Sequence, residues 1–592
     1  MTVPDRPSAA RSLGFAWFAS LTVAFLTGTV LGLHYVPIVG RAWESTFFLH
    51  QLPAGAAVRA LHRSAAETAV VCGGLGLVLG AFERRDGRAR RILGWAASVG
   101  MALTLFICVT GNPLRFDNAS FFALRVESSV LRAVPGIGGA LQRLLTGSGD
   151  EEGLLARLYA RHSVLLPAAL ALVVGASIAL ARRIEGAEPG AQRSAPAATS
   201  QLISDVSASL LAVLTISVLA AVRGAPLGSP ADPSLSFPAR PVWYLQVLFV
   251  AREALPTTGV GRAALSALVL LVGAMIFAYS ALRSNDPGER RRLRVRVTVA
   301  LGSLAYGLLT VVGLVRDGRA PELNASFQRE RWEVERVRVL THGGVPRDAL
   351  ALLEADPLHR ARRVFAENCA NCHSLGDLGP STGKSPAPAL DGFGRRRWVL
   401  ELLDDPDSAR LFGGSPFAGT MRSMTRPPED PEARAKFRPL AEADRTALAT
   451  FLEAQAFPGN VSPASSAELA RGEKLVAERC TSCHLFRGHT DDDESDAPEL
   501  SGWGSEDYIR AQIQNPASGV TYRKKPRQKG AMPAYAGLLS SEEVDLLVDL
   551  IRNQLVDGNA SQRSLSALAP RTEGNGSNTE VVLGSTGNLP GR

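Results

Sequence analysis

Two short cysteine-histidine motifs late in the chain carry the most specific chemistry. The first is Cys369-Ala370-Asn371-Cys372-His373 and the second is Cys480-Thr481-Ser482-Cys483-His484. Each reads C-x-x-C-H, the attachment pattern of a covalent c-type haem. The two cysteines form thioethers to the porphyrin, the histidine binds iron, and a methionine can bind from the opposite side. A redox disulfide or half a zinc site requires no histidine directly after the second cysteine. Met421 lies 48 residues beyond His373, and Met532 lies 48 beyond His484. The expectation is therefore two covalent haem c groups. Cys369, Cys372, Cys480 and Cys483 would attach them, with His373, Met421, His484 and Met532 as iron ligands.

The motifs belong to an internal repeat. Cysteine, histidine and methionine recur at an offset of 111 residues, and Pro388, Gly392, Trp398 and Pro406 match Pro498, Gly502, Tyr508 and Pro516 at an offset of 110. Gly419-Thr420-Met421 aligns with Gly530-Ala531-Met532, which favours Met421 over nearby Met424. Each copy closes with a helical pattern, Leu440–Ala454 and Ser541–Leu555, opened by acidic or hydroxyl residues as helix starts prefer. Met532-Pro533 resembles the ligand loop of small cytochromes c, as does the region around it.

These motifs need a scaffold, and the first half of the chain reads as a membrane bundle. The chain has 592 residues, too many for one domain, and a net charge of +8. Seven apolar stretches approach the ~20 residues that span a bilayer. They are Ser12–Val36, Ala57–Phe82, Ile92–Thr110, His162–Ala181, Val206–Val222, Ala263–Leu282 and Val297–Val315. The first is long for a signal peptide and lacks a cleavage site, so it reads as a span. Arginines fill the loops after the second span (Arg84 to Arg91), the fourth (Arg182, Arg183, Arg193) and the sixth (Arg283 to Arg296), and Arg6 and Arg11 precede the first. By the positive-inside rule these segments are cytoplasmic. Seven spans then deliver the repeat to the outer face, where bacteria attach c-type haem. Of the six cysteines, Cys72 and Cys108 lie in apolar segments and read as small hydrophobes. No disulfide framework is implied.

His62 and His162 lie on two spans at similar depth, towards the outer side. A ring nitrogen in a bilayer needs a partner, so intramembrane histidines mark functional sites. On facing helices such a pair can hold a b-type haem, while the plainer reading is two interfacial histidines bonded to loops. Gly55–Ala66 around His62 and Arg157–Pro167 around His162 resemble the second and fourth helices of cytochrome b from bc-type complexes. Val134-Pro135-Gly136-Ile137-Gly138 resembles the surface helix before the fourth, and Pro241-Val242-Trp243-Tyr244 the quinol-site tetrapeptide. Over about residues 12–315 the pattern matches a cytochrome b fused to its subunit-four partner. The resemblance implies one haem b on His62 and His162 and a quinol site that includes Pro241, Trp243 and Tyr244.

The chain departs from that family in two places. The family has a second histidine on each helix for an inner haem, but the corresponding positions hold Gly76, Ala176 and Ser177. An inner haem b is therefore expected to be absent. The tetrapeptide's glutamate, associated with proton uptake, is replaced by Val242. One outer haem cannot pass a second electron inward, so a one-sided path is expected: quinol, haem b, two c-type haems, then a soluble periplasmic acceptor. His/Met ligation raises the potential, which makes that direction downhill. The rival reading is an anchor without quinol oxidation that wires a partner enzyme through its c-type haems.

The expected fold is membrane all-α: a seven-helix cytochrome b-like bundle followed by two small α-helical cytochrome c-type domains. The expected divisions are 1–200, a four-helix haem-binding bundle; 201–316, a three-helix region; 317–355, a charged linker; 356–457 and 466–556, the c-type domains; and 557–592, a disordered tail rich in Gly, Ser and Asn. Arg329–Arg336 reads as an exposed helix and Asp491–Asp496 as a solvated acidic loop. The resemblance implies a bacterial inner-membrane protein in contact with lipid, in a multi-subunit complex that could be dimeric. A Rieske-type iron–sulfur or other redox subunit would be a separate chain. No nucleic-acid motif is present.

Overall fold

The computed structural model describes residues 7–83, 88–132, 136–147, 153–187, 195–247, 249–250, 289–380, 385–421, 427, 429–459, 464–491, 497–517, 521 and 532–552. Among these there is no strand, only isolated bridges. Two units are distinguished, Met1–Glu354 and Ala355–Arg592.

The first unit opens with α1 (Ala9–Gly32), α2 (Ala42–Gln51), α3 (Pro53–Phe82) and α4 (Arg88–Gly111). It continues with α5 (Asn118–Arg132), α6 (Gly138–Thr146), α7 (Leu154–Ala160), α8 (Leu166–Ala187) and α9 (Ala195–Arg223). Among the described residues six helical stretches are long and apolar enough to cross a membrane: Ala9–Gly32, Pro53–Phe82, Ile92–Arg115, Leu154–Ile184, Ala198–Arg223 and Arg296–Arg319. The expected span Ala263–Leu282 lies outside the described residues.

The spans bury small residues and turn their large ones outward. Ala16, Ser20, Ala60, Ser64, Ala65 and Ala69 are buried, while Leu172, Leu202, Leu210 and Val222 are exposed. Lipid is as apolar as leucine, so close backbone approach and polar contacts, not exclusion of leucine from water, hold such helices together. One polar clasp joins α1 to α9. Asp205 accepts from the Ser12 hydroxyl at 2.8 Å and the Gln201 amide at 2.7 Å, and pairs with Arg11 at 3.0 Å.

The charged helix expected to be exposed is not. Arg329–Arg336 falls within Pro321–Leu340, where Glu330, Glu333, Arg336 and Val337 are buried. Val337 packs with Trp43, Phe47, Leu227 and Leu353, so the helix forms a lid over α2. Arg329, Arg331 and Glu335 are exposed, so one side of the helix is covered and the other is open.

The second unit contains the two repeat copies. The first has an opening helix (Pro357–Asn368), a middle helix (Arg396–Asp404) and a closing helix (Glu442–Ala456). The second has an opening helix (Ser466–Leu475), a middle helix (Glu506–Gln514) and a closing helix (Ser541–Arg552). The repeat reaches the backbone: Gly392 and Gly502 both turn through left-handed conformations, φ 69° and 68°. Both copies feed one core containing Phe365, Trp398, Leu411, Leu448, Val476, Trp503 and Leu547. Phe393 and Trp503 meet at 4.9 Å across the copies, their rings tilted by 55°.

At Gly472 the second opening helix crosses the first closing helix, so closely that a Cβ would overlap the Ala447 carbonyl. Overpacking a rigid backbone contact typically costs about 1–3 kcal/mol. Gly472→Ala is expected to lower the unfolding free energy of the c-type unit by about that amount, read as an earlier loss of native haem absorbance on heating.

Candidate haem centres

His62 lies in the first third of α3. Its Nδ1 is 2.9 Å from the Ala24 carbonyl oxygen and 3.2 Å from the Thr27 hydroxyl, both on α1. His162 sits in a short π-helical segment, Arg161–Leu165, that joins α7 to α8. Such local widenings are frequent at functional sites. Its Nδ1 is 2.9 Å from the Ile107 carbonyl oxygen on α4. A carbonyl can only accept, so in both rings Nδ1 carries the proton and Nε2 offers a lone pair. This backbone partner is the usual way a metal-binding histidine is held in its tautomer.

The two ring centres are 6.1 Å apart, with the ring planes at 80° to each other. A metal about 2 Å from each nitrogen, with each nitrogen about 1 Å from its ring centre, needs ring centres about 6 Å apart. Glycines make the space. A Cβ at Gly28 would come within 2.9 Å of His62 Cε1, and one at Gly111 would overlap the His162 ring. The donor set and the clearance fit an iron held between two imidazoles. The backbone partners of both rings lie on neighbouring spans, not in loops.

In the second unit the same rule recurs. His373 Nδ1 lies 2.8 Å from the Pro388 carbonyl oxygen and His484 Nδ1 lies 2.8 Å from that of Pro498. Burial pushes both imidazoles' pKa down, which favours the neutral, ligating form. Each histidine amide also closes a turn on the first cysteine's carbonyl, His373 at 2.9 Å and His484 at 2.8 Å, so cysteine pair and histidine share one turn. Burial raises the Cys369 and Cys480 thiols to about 11, so free of any bound group both are held as neutral thiols. Among the described residues no group of three or more His, Cys, Asp or Glu is placed to hold a metal ion. Met421 and Met532 are described and partly buried; Met424 lies outside the described residues.

Tyr244 is buried, and its ring meets Trp243 at 5.5 Å. Tyr306 donates a hydrogen bond to the Tyr244 carbonyl. Val242 brings no charge, but a carboxyl that sequence reasoning missed stands beside it. Glu127 of α5 is 5% exposed, and its carboxyl is buried against the Val242 backbone. Burial raises its pKa to about 8. Nothing near it in sequence points to the site; folding of α5 places it there.

Membrane helices carrying a facing histidine pair, continued by two C-x-x-C-H copies in a helical unit, define a membrane-bound cytochrome of mixed b and c type. The comparisons agree. Residues 78–245 match the family model for Cytochrome b(N-terminal)/b6/petB, and residues 358–456 and 469–554 match the model for Cytochrome c. The menaquinol:cytochrome c reductase cytochrome b subunit of Geobacillus thermodenitrificans is 32% identical over 174 residues, 29% of this chain and 77% of that one. Cytochrome b6 of Synechococcus elongatus is 30% identical over 172 residues, 28% of this chain and 78% of the relative. The menaquinol:cytochrome c reductase cytochrome b subunit of Bacillus subtilis is 31% identical over 177 residues, 29% of this chain and 77% of the relative. The chain belongs to the cytochrome b/b6 family and carries cytochrome c domains behind its membrane helices.

The Glu127 carboxyl generates a test. With its pKa raised to about 8, it is protonated at neutral pH and ionises as pH rises through that value. Its desolvation penalty therefore reduces stability progressively between the usual carboxyl range and about pH 8. Infrared difference spectra between wild type and Glu127→Gln should show a protonated-carboxyl band at pH 6 that fades near pH 8. A carboxylate already ionised at pH 6 would contradict this.

Proposed function

We propose that this chain moves electrons from quinol through one haem b, held by His62 and His162, to two c-type haems and on to a soluble periplasmic acceptor. The observation that carries the reading is the His62–His162 pair, 6.1 Å apart and tied by Nδ1 to neighbouring helices. When bound, the haem groups supply one-electron carriers. The protein's own part is to fix the imidazole tautomers, clear space with Gly28 and Gly111, and exclude water with the surrounding spans.

Cys369 and Cys372, with Cys480 and Cys483, would attach the c-type groups, with His373, His484, Met421 and Met532 as iron ligands. His/Met ligation at the c-type sites against bis-His in the membrane makes the outward direction downhill. Gly76, Ala176 and Ser177 leave no inner ligand pair on α3 and α8. Electrons are then passed to one side only, and this chain alone does not complete a Q cycle.

Quinol binding is proposed near Pro241, Trp243 and Tyr244. Two relatives named menaquinol:cytochrome c reductase subunits support that substrate class. Glu127, with its carboxyl against Val242, is the group we propose stands in for the missing tetrapeptide glutamate, its ionised form, reached as pH rises through about 8, accepting a quinol proton. An iron–sulfur or other redox partner would be a separate subunit. The proposed setting is a bacterial inner membrane, with the N-terminus cytoplasmic and the c-type unit periplasmic.

The rival, an anchor that wires a partner enzyme, differs in one outcome. The purified complex is expected to reduce its c-type haems when given a menaquinol analogue. At pH 8 and above, Glu127→Gln should slow that reduction at least tenfold without changing the haem content. A complex with all haems present that shows no quinol-dependent reduction would hand the function to the rival.

A further inference from the structure

An internal repeat of this kind has two ways to close. Each copy's opening helix can pack on its own closing helix, or the copies can exchange. The contacts show exchange. The second opening helix meets the first closing helix at Gly472. There Glu468 accepts from the Thr450 hydroxyl at 2.9 Å and Arg471 pairs with Asp444 at 2.6 Å. The first opening helix is tied to the second closing helix by Arg360 and Glu542 at 2.6 Å. The middle helices do not exchange: Asp404 pairs with Arg445 of its own closing helix, as Arg510 does with Asp545.

The exchange reaches the attachment motifs and has approximate twofold symmetry. Tyr535 donates to the carbonyl of Asn368 at 2.6 Å, the residue before Cys369. The Tyr535 ring is near enough to feel Cys369 and Cys372. In the other copy Arg479, the residue before Cys480, donates to the carbonyl of Arg438 at 2.8 Å. Arg438 stands just before the first closing helix, as Tyr535 stands just before the second. Phe451 of the first closing helix meets Phe486, two residues after His484, at 6.0 Å.

Met532 lies three residues before Tyr535, and three residues of extended chain reach at most about 10 Å. It also packs against the core shared by both attachment motifs, where Cys369, Ala370 and Cys480 lie too. We infer that the haem crevice at Cys369, Cys372 and His373 is completed by Met532 of the other copy. By the twofold relation, the crevice at Cys480, Cys483 and His484 is completed by Met421. This reverses the within-copy pairing that the matched 48-residue spacing invites. It rests on the reading of both methionines as iron ligands. Neither copy then forms a finished site without the other.

The test removes one haem and asks which methionine serves the other. In the full-length chain, Cys480→Ser with Cys483→Ser leaves a single c-type attachment site. The oxidised spectrum should show the methionine-to-iron charge-transfer band. In that background Met532→Ala should abolish the band and lower the midpoint potential, while Met421→Ala leaves both unchanged. Loss with Met421→Ala and not with Met532→Ala would overturn the exchange. Absence of the band in the single-site parent with haem attached would instead defeat the methionine reading itself. Should the single-site chain fail to fold, the fully loaded protein gives a second readout. A short bismaleimide should bridge Arg360→Cys to Glu542→Cys and not Arg360→Cys to Ala443→Cys; the opposite result overturns the exchange.

Discussion

One interaction recurs at every histidine on which this account depends: Nδ1 bonded to a backbone carbonyl oxygen. His62 uses Ala24, His162 uses Ile107, His373 uses Pro388 and His484 uses Pro498, at distances between 2.8 and 2.9 Å. A buried imidazole needs both nitrogens satisfied, and the carbonyl satisfies one while fixing which one remains. In the membrane spans the carbonyl comes from another helix, and its second lone pair accepts from the imidazole while the first serves its own helix. The distance to His62 therefore sets the approach of α1 to α3, and the distance to His162 sets that of α4 to the π-helical turn. Small residues on those faces permit the approach. Glycine is needed at Gly28 and Gly111 because any side chain there would meet an imidazole.

The c-type unit shows the same economy in a soluble setting. A tight turn holds the cysteine pair and histidine, and a proline carbonyl from the following loop orients the ring. The chain then builds one shared core from two copies. Trp398 and Trp503, related by the repeat's surroundings though not by its register, meet at 5.8 Å in that core. Joining both copies in one core holds two attachment motifs in fixed relation, which suits passage of electrons between them.

Much of this was legible in the sequence because the signals were local. C-x-x-C-H is a contiguous pattern, the offset of 111 residues is arithmetic, and an apolar run of twenty residues needs no tertiary context. His62 and His162 were legible as a pair only through the depth of each on its helix and the resemblance of their surroundings. What stayed hidden depended on packing between distant segments. Glu127 gains its raised pKa from the burial of α5, 115 residues before Val242. Arg329–Arg336 looked solvated because its charges outnumber its apolar residues, yet one side of that helix is covered. The crossing of the two copies leaves no trace in spacing, since either closure uses the same residues.

The central claim is that one bis-histidine site in the membrane precedes two covalent sites in the same chain. The most direct measurement is the ratio of b-type to c-type haem, by pyridine haemochrome spectra of the purified protein. One b to two c is the result this account requires. Two b to two c would mean an inner ligand pair exists that α3 and α8 do not supply, and no b at all would leave His62 and His162 as structural residues.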